Sequence, residues 1–121
     1  MTKRTIRRGG GKKNKQATKA SEAELDALIE EATVDAYNES EQMIGFLTML
    51  EEHLQMPFKT EVLGAEVTVA EVELTDDDRI VAVCTRGKSR QRIPILDLPL
   101  ASPSPKGAEW IDAYRRWAGG R

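Results

Sequence analysis

One cysteine and one histidine are all that the 121 residues offer of the side chains that build most nucleophilic and transition-metal sites. Cys84 alone cannot form an intramolecular disulfide. A lone imidazole excludes a Cys/His pair, a Ser/His/Asp triad and a multi-histidine metal site within one chain. Aromatic residues make up only 5% of the chain, and no aromatic is interleaved with the basic N-terminal residues as base stacking on a single strand requires. No apolar run approaches the roughly 18 residues that would mark a membrane span, and no signal-peptide pattern opens the chain, so it reads as a soluble cytoplasmic protein. Paired carboxylates occur, but nothing marks an apolar pocket that would raise one pKa for acid–base work. An enzyme is not expected. Cys84, in a strand-like run, reads as core filler. His53 falls in the last turn of a predicted helix, where partial positive charge suits the helix dipole.

Charge is abundant but segregated. The formal net charge is −2, yet residues 1–20 hold eight Lys or Arg and no acid, leaving ten basic against twenty acidic residues in 21–121. The tail MTKRTIRRGGGKKNKQATKA has no apolar period and includes Gly9-Gly10-Gly11, so it is expected to be disordered. Residues 21–121 are expected to form a single domain, large enough for one modest core. The tail could contact nucleic acid or another anionic partner by counterion release, or serve only as a solubilising arm. Its glycines followed by Lys12-Lys13 lack the P-loop spacing and the following Ser/Thr.

The organising stretch is VDAYNESEQMIGFLTMLEEHLQMPF, from Val34 to Phe58. Met43, Phe46, Leu47, Leu50 and Leu54 recur at spacings of three and four, which predicts a helix with one apolar stripe. It should start near Asn38 or Ser40, with Asn38 and Glu41 at capping-box spacing, and end before Pro57. Upstream, Ser21 and Glu24 form another capping box, and Leu25, Leu28, Ile29 and Ala32 predict a helix over about 22–36. Glu31 and Asp35 would then share one helical face, repelling each other unless a cation lies between them. A solvated charged face is the alternative.

After Pro57 the period becomes alternating. FKTEVL (58–63), AEVTVAEVEL (65–74), RIVAVCTR (79–86) and SRQRIPILDL (89–98) predict four strands, with turns at Gly64, Asp76-Asp77-Asp78 and Gly87-Lys88-Ser89. The phase slip between Val69 and Val72 predicts a bulge near Ala70, and Pro94 belongs at an edge or bend. Trp110, Ile111, Tyr114 and Trp117 share one face of a last helix after the SPSP turn. The expected fold class is α+β: an N-terminal helix pair packed on a small antiparallel SH3-like β barrel of about four strands, closed by a C-terminal helix.

Hard-cation binding is the site chemistry these residues can support. Calcium takes six to eight oxygens in loose geometry from carboxylates, amides, backbone and water. Asp35, Asn38, Glu39 and Glu41 supply such oxygens at the helix–helix junction, and Glu30 and Glu31 add to its acidity. Asp76, Asp77 and Asp78 offer a second cluster, with Glu73 near it. The EF-hand loop pattern is absent.

The order VDAYNESEQMIGF, LEEHLQMPF, alternating strands ending in RIPILDL, then EWIDAYRRW resembles the cyanobacterial calcium-binding family CcbP. Glu41-Gln42, Gly45, Phe46, Leu50, Glu51, Glu52, Leu54, Pro57, Phe58, Trp110 and Trp117 carry the resemblance, which spans about residues 30–118. It departs at Ser40, where the family often has another acid, and in the basic tail. The resemblance implies calcium binding without EF-hands, through surface carboxylates, in a cytosolic buffer or regulator. The resemblance does not assign ligands one by one; from the acidic clusters themselves, Asp35, Asn38 and Glu39 are expected to form a first site, with Glu41 as an alternative ligand, and Asp76, Asp77 and Asp78 a second. A small nucleic-acid- or protein-binding module, using the basic tail and the β barrel, is the alternative. A structural or interaction protein whose acidic body keeps it soluble is a third reading.

Overall fold

A computed structural model describes residues 20–119. The expectations of a disordered tail and of its contact with nucleic acid or an acidic partner lie almost wholly outside these residues. Three helices and four strands follow the predicted order: α1 (Glu22–Thr33), α2 (Glu39–His53), β1 (Phe58–Val62), β2 (Ala65–Leu74), β3 (Ile80–Arg86), β4 (Ser89–Pro94) and α3 (Glu109–Gly119), with a 3-10 turn at Ile95–Asp97.

Local chemistry sets most boundaries. The Ser21 hydroxyl accepts from the Glu24 amide while the Glu24 carboxylate accepts from the Ser21 amide, a complete capping box. Asn38 caps α2 by accepting from the Glu41 amide at 2.9 Å. The reciprocal bond expected there does not form: the Glu41 carboxylate reaches one residue further and accepts from the Tyr37 amide. α1 stops at Thr33, short of the predicted 36, because Val34 is extended and Asp35 turns left-handed at φ 63°. Asp35 is therefore off the helix, and the expected Glu31/Asp35 pair on one helical face is not made.

The strands form an antiparallel meander in the order β1-β2-β3-β4. Ala70 is the extra residue of a bulge, since Val69 opposes Cys84 and Glu71 opposes Val83. The bulge lets Val69 and Val72, three apart, both face the core, where both are buried. Among the described residues the sheet is not closed into the expected SH3-like barrel but stays open, with β1 and β4 as edges. Pro94, which has no N–H, ends the predicted 89–98 strand at the edge, and Ile95–Asp97 coil into the 3-10 turn. With strand pairing stopped there, helices rather than further curling cover the apolar face.

The core lies between that face and the helix layer. Phe46 and Leu50 of α2, Val69 and Ile80 of the sheet, Ile95 and Ile111 are wholly or almost wholly buried. Phe46 packs against Tyr114 and Trp117, with ring centroids 5.6 and 5.0 Å apart, so the predicted aromatic face of α3 is core packing. Each aromatic pair of this kind adds about 0.5–1.5 kcal/mol beyond its buried area. Cys84 is buried, and burial pushes its thiol pKa up, as expected of a filler. On the other face of the sheet, buried Val81 and Val83 lie beneath two ion pairs that bridge β2 to β4, Glu71 with Arg90 and Glu73 with Arg92.

Candidate metal centre

The α1–α2 junction is held from several sides. The Thr33 hydroxyl donates to the Ile29 carbonyl at 2.8 Å, and the Ala36 amide donates to the Thr33 carbonyl, which closes a turn around Asp35. Nearly two turns into α2, Gly45 rests on the Ala32 carbonyl so closely that any side chain would collide with it. This contact lets α1 and α2 approach and sets the width of the junction. Asp35, Asn38, Glu39 and Glu41 are all exposed there. Glu39 and Glu41 occupy the first turn of α2, where the helix dipole favours carboxylates.

The β2–β3 hairpin is equally well tied. The Thr75 amide donates to the Arg79 carbonyl, the Asp78 amide to the Thr75 carbonyl, and the Arg79 amide to the Thr75 hydroxyl. That hydroxyl in turn donates to Asp77, whose other oxygen lies 3.4 Å from Arg79 Nε. The hydrogen bond from the Thr75 hydroxyl outweighs the opposing effect of desolvation and, with lesser help from a backbone hydrogen bond and the Arg79 charge, holds the Asp77 carboxyl below its ordinary pKa. Asp78 takes a left-handed φ of 59°, and its carboxylate accepts from the Ser40 hydroxyl at 2.8 Å.

That last bond joins the two predicted clusters. Ser40 of α2 and Asp78 of the hairpin are 38 residues apart in sequence, and sequence reasoning placed their neighbours in separate sites. In the sequence, Ser40 stands out only for lacking a carboxylate. Its position two residues after a cap, between Glu39 and Glu41, marks it as part of the junction. Nothing local points to its hairpin partner. Glu73, by contrast, leaves the hairpin: its carboxylate accepts from Arg92 Nε at 2.8 Å.

All donors here are oxygens on exposed groups, which suits a hard cation in kind. The softer ligands are elsewhere, with Cys84 buried and His53 stacked on Trp110 at a centroid distance of 5.2 Å. Among the described residues, no three Asp, Glu, His or Cys side chains stand close enough together to hold a metal ion. The donor set therefore fits calcium in chemistry, with its carboxylates spread around the junction rather than gathered.

Neither the curated proteins nor the solved structures give a match to this chain. A family model does: the CcbP model, described as calcium binding, matches residues 26–118. The matched span takes in most of α1, the whole of α2 and the sheet, nearly all of α3 and both carboxylate clusters, and the chain belongs to the CcbP family of calcium-binding proteins.

Proposed function

We propose that the protein holds calcium without an EF-hand, between the α1–α2 junction and the β2–β3 hairpin, and serves as an intracellular calcium buffer or regulator rather than an enzyme. The Ser40–Asp78 hydrogen bond supports this reading, because it ties the first turn of α2, which carries Glu39 and Glu41, to the hairpin that carries Asp76–Asp78. Asp35, Glu39 and Asp78 would supply carboxylate oxygens, Asn38 its amide oxygen, and Asp76 and Asp77 further anionic charge. Glu41 would contribute the oxygen opposite the one that accepts from Tyr37. A bound divalent cation supplies charge that screens repulsion among these groups. The chain's part is to swing exposed carboxylates inward over a fixed backbone and hold α1, α2 and the hairpin in one relative position. Binding only the folded arrangement then stabilises it by mass action.

Cytoplasmic placement accords with the absence, among the described residues, of a helix long and apolar enough to cross a membrane. The nucleic-acid reading gains nothing from the sheet: Arg90 and Arg92 on its outer face are paired with Glu71 and Glu73.

Calorimetric titration of the metal-free chain with calcium, in the presence of magnesium at near-physiological salt, tests the proposal. Saturable binding should survive magnesium and weaken by about tenfold or more, roughly 1.4 kcal/mol, in Asp35→Asn with Glu39→Gln and again in Asp78→Asn. Affinity unchanged in the junction variant would remove the site from the junction. Affinity unchanged in Asp78→Asn alone would detach the hairpin from it.

A further inference from the structure

The edge strand β1 reads F-K-T-E-V from Phe58 to Val62, and its free side has no partner strand among the described residues. Leu63 and Gly64, at φ 52° and 79°, make the two-residue turn into β2, closing on the pair Val62 and Ala65. A two-residue turn closes on a hydrogen-bonded pair, and such pairs alternate along an antiparallel ladder. Phe58, Thr60 and Val62 therefore direct their N–H and C=O groups to β2. Lys59 and Glu61 direct theirs to the open edge.

Two features of that edge are incomplete in one copy. Leu63, at the turn, is fully exposed and held in a left-handed conformation that a leucine rarely adopts. Glu61 lies directly across from Glu66, a like-charge pair that costs stability, while Lys59 is 3.8 Å from Glu66. A groove of about 540 Å³ opens along the strand, lined by Lys59, Glu61, Glu66 and Leu100, and within it the buried Thr60 donates its hydroxyl to the Pro99 carbonyl.

We infer that this edge takes a second copy of the same chain, its β1 adding antiparallel to β1 about a two-fold axis through Thr60. In that register Lys59 of each copy faces Glu61 of the other, and the outward N–H and C=O groups of these two residues meet as hydrogen-bonded pairs. Phe58 faces Val62 of the second copy on the inner side. Leu63 comes opposite Pro57 of the second copy, which covers the exposed side chain. Moving the axis one pair either way sets Glu61 against Glu61 or Lys59 against Lys59 among these edge-facing residues, so charge alone selects the register centred on Thr60. Lysines on an edge strand ordinarily discourage pairing. Here each lysine meets the second copy's glutamate. The result is one continuous eight-stranded sheet, with a contact smaller than the roughly 800 Å² per partner of a standard interface, and hence a reversible, concentration-dependent dimer. Nothing in this inference depends on where calcium binds.

Sedimentation of the full chain across a range of concentrations tests it, with circular dichroism to verify that each variant folds. The wild-type chain should dimerise reversibly, less so as salt rises. Glu61→Lys and Lys59→Glu, both at exposed positions, should each raise the dimer dissociation constant by about tenfold or more. Mixing the two variants should restore association, because an edge carrying lysine at both positions then faces an edge carrying glutamate at both. A chain that stays monomeric to millimolar concentration, a dimer indifferent to Glu61→Lys, or a mixture no more associated than its components would each overturn the assignment.

Discussion

Asp26 and Arg116 show how one exposed pair can report on the fold. Arg116 Nε donates to the Asp26 carboxylate at 2.7 Å, joining the start of α1 to the end of α3 across 90 residues. That hydrogen bond outweighs the opposing effect of desolvation and, with a lesser contribution from the Arg116 charge, lowers the Asp26 pKa below its ordinary 3.8. A carboxyl whose folded pKa is depressed contributes stability above its unfolded pKa and loses it as pH falls through the folded value. Arg116→Gln should therefore bring the Asp26 titration, followed by NMR, back up toward the ordinary carboxylate value. An unmoved titration would mean that the pair does not form in solution. The sequence contained both charges but no sign of their partnership, because pairing between residues so far apart depends on how the helices pack. Asn38 was legible for the opposite reason, since a cap acts on an amide three residues away.

At the scale of elements, the crossing of α1 and α2 determines the shape of the junction, and it rests on Gly45. A methyl group there would press into the Ala32 carbonyl, which is backbone and cannot swing aside. Gly45→Ala should cost about 3 kcal/mol in urea denaturation despite the gain in helix propensity, and should weaken calcium binding by spreading the junction. Gly119→Ala, with open space around the glycine, is the control and should be neutral. A neutral Gly45→Ala would show that the helices are less closely packed than described. Periodicity predicted both helices, all four strands and the bulge at Ala70, because each is a local pattern in the chain. It overran at Asp35 and Leu98. In the first case a left-handed turn ended a pattern that still read as helical, and in the second Pro94 and a 3-10 turn ended one that still read as a strand.

For the whole molecule, the ten excess negative charges of residues 21–121 imply self-repulsion that salt screens. The melting temperature should rise with sodium chloride, and rise further with calcium at matched ionic strength, since site binding adds up to about 2.7 kcal/mol at a hundredfold excess over Kd. Equal effects of the two salts, measured by differential scanning calorimetry, would reduce calcium to a screening ion. The residue types by themselves determined the order of elements, their caps, the hard-cation chemistry and the family motifs, because these depend on local spacing and side-chain type. Only the tertiary structure decided that the sheet stays open, that Glu73 serves Arg92 instead of the hairpin, and that Ser40 meets Asp78. Those outcomes depend on which surfaces the packed core brings together, and contacts between residues distant in sequence leave no local period by which to read them.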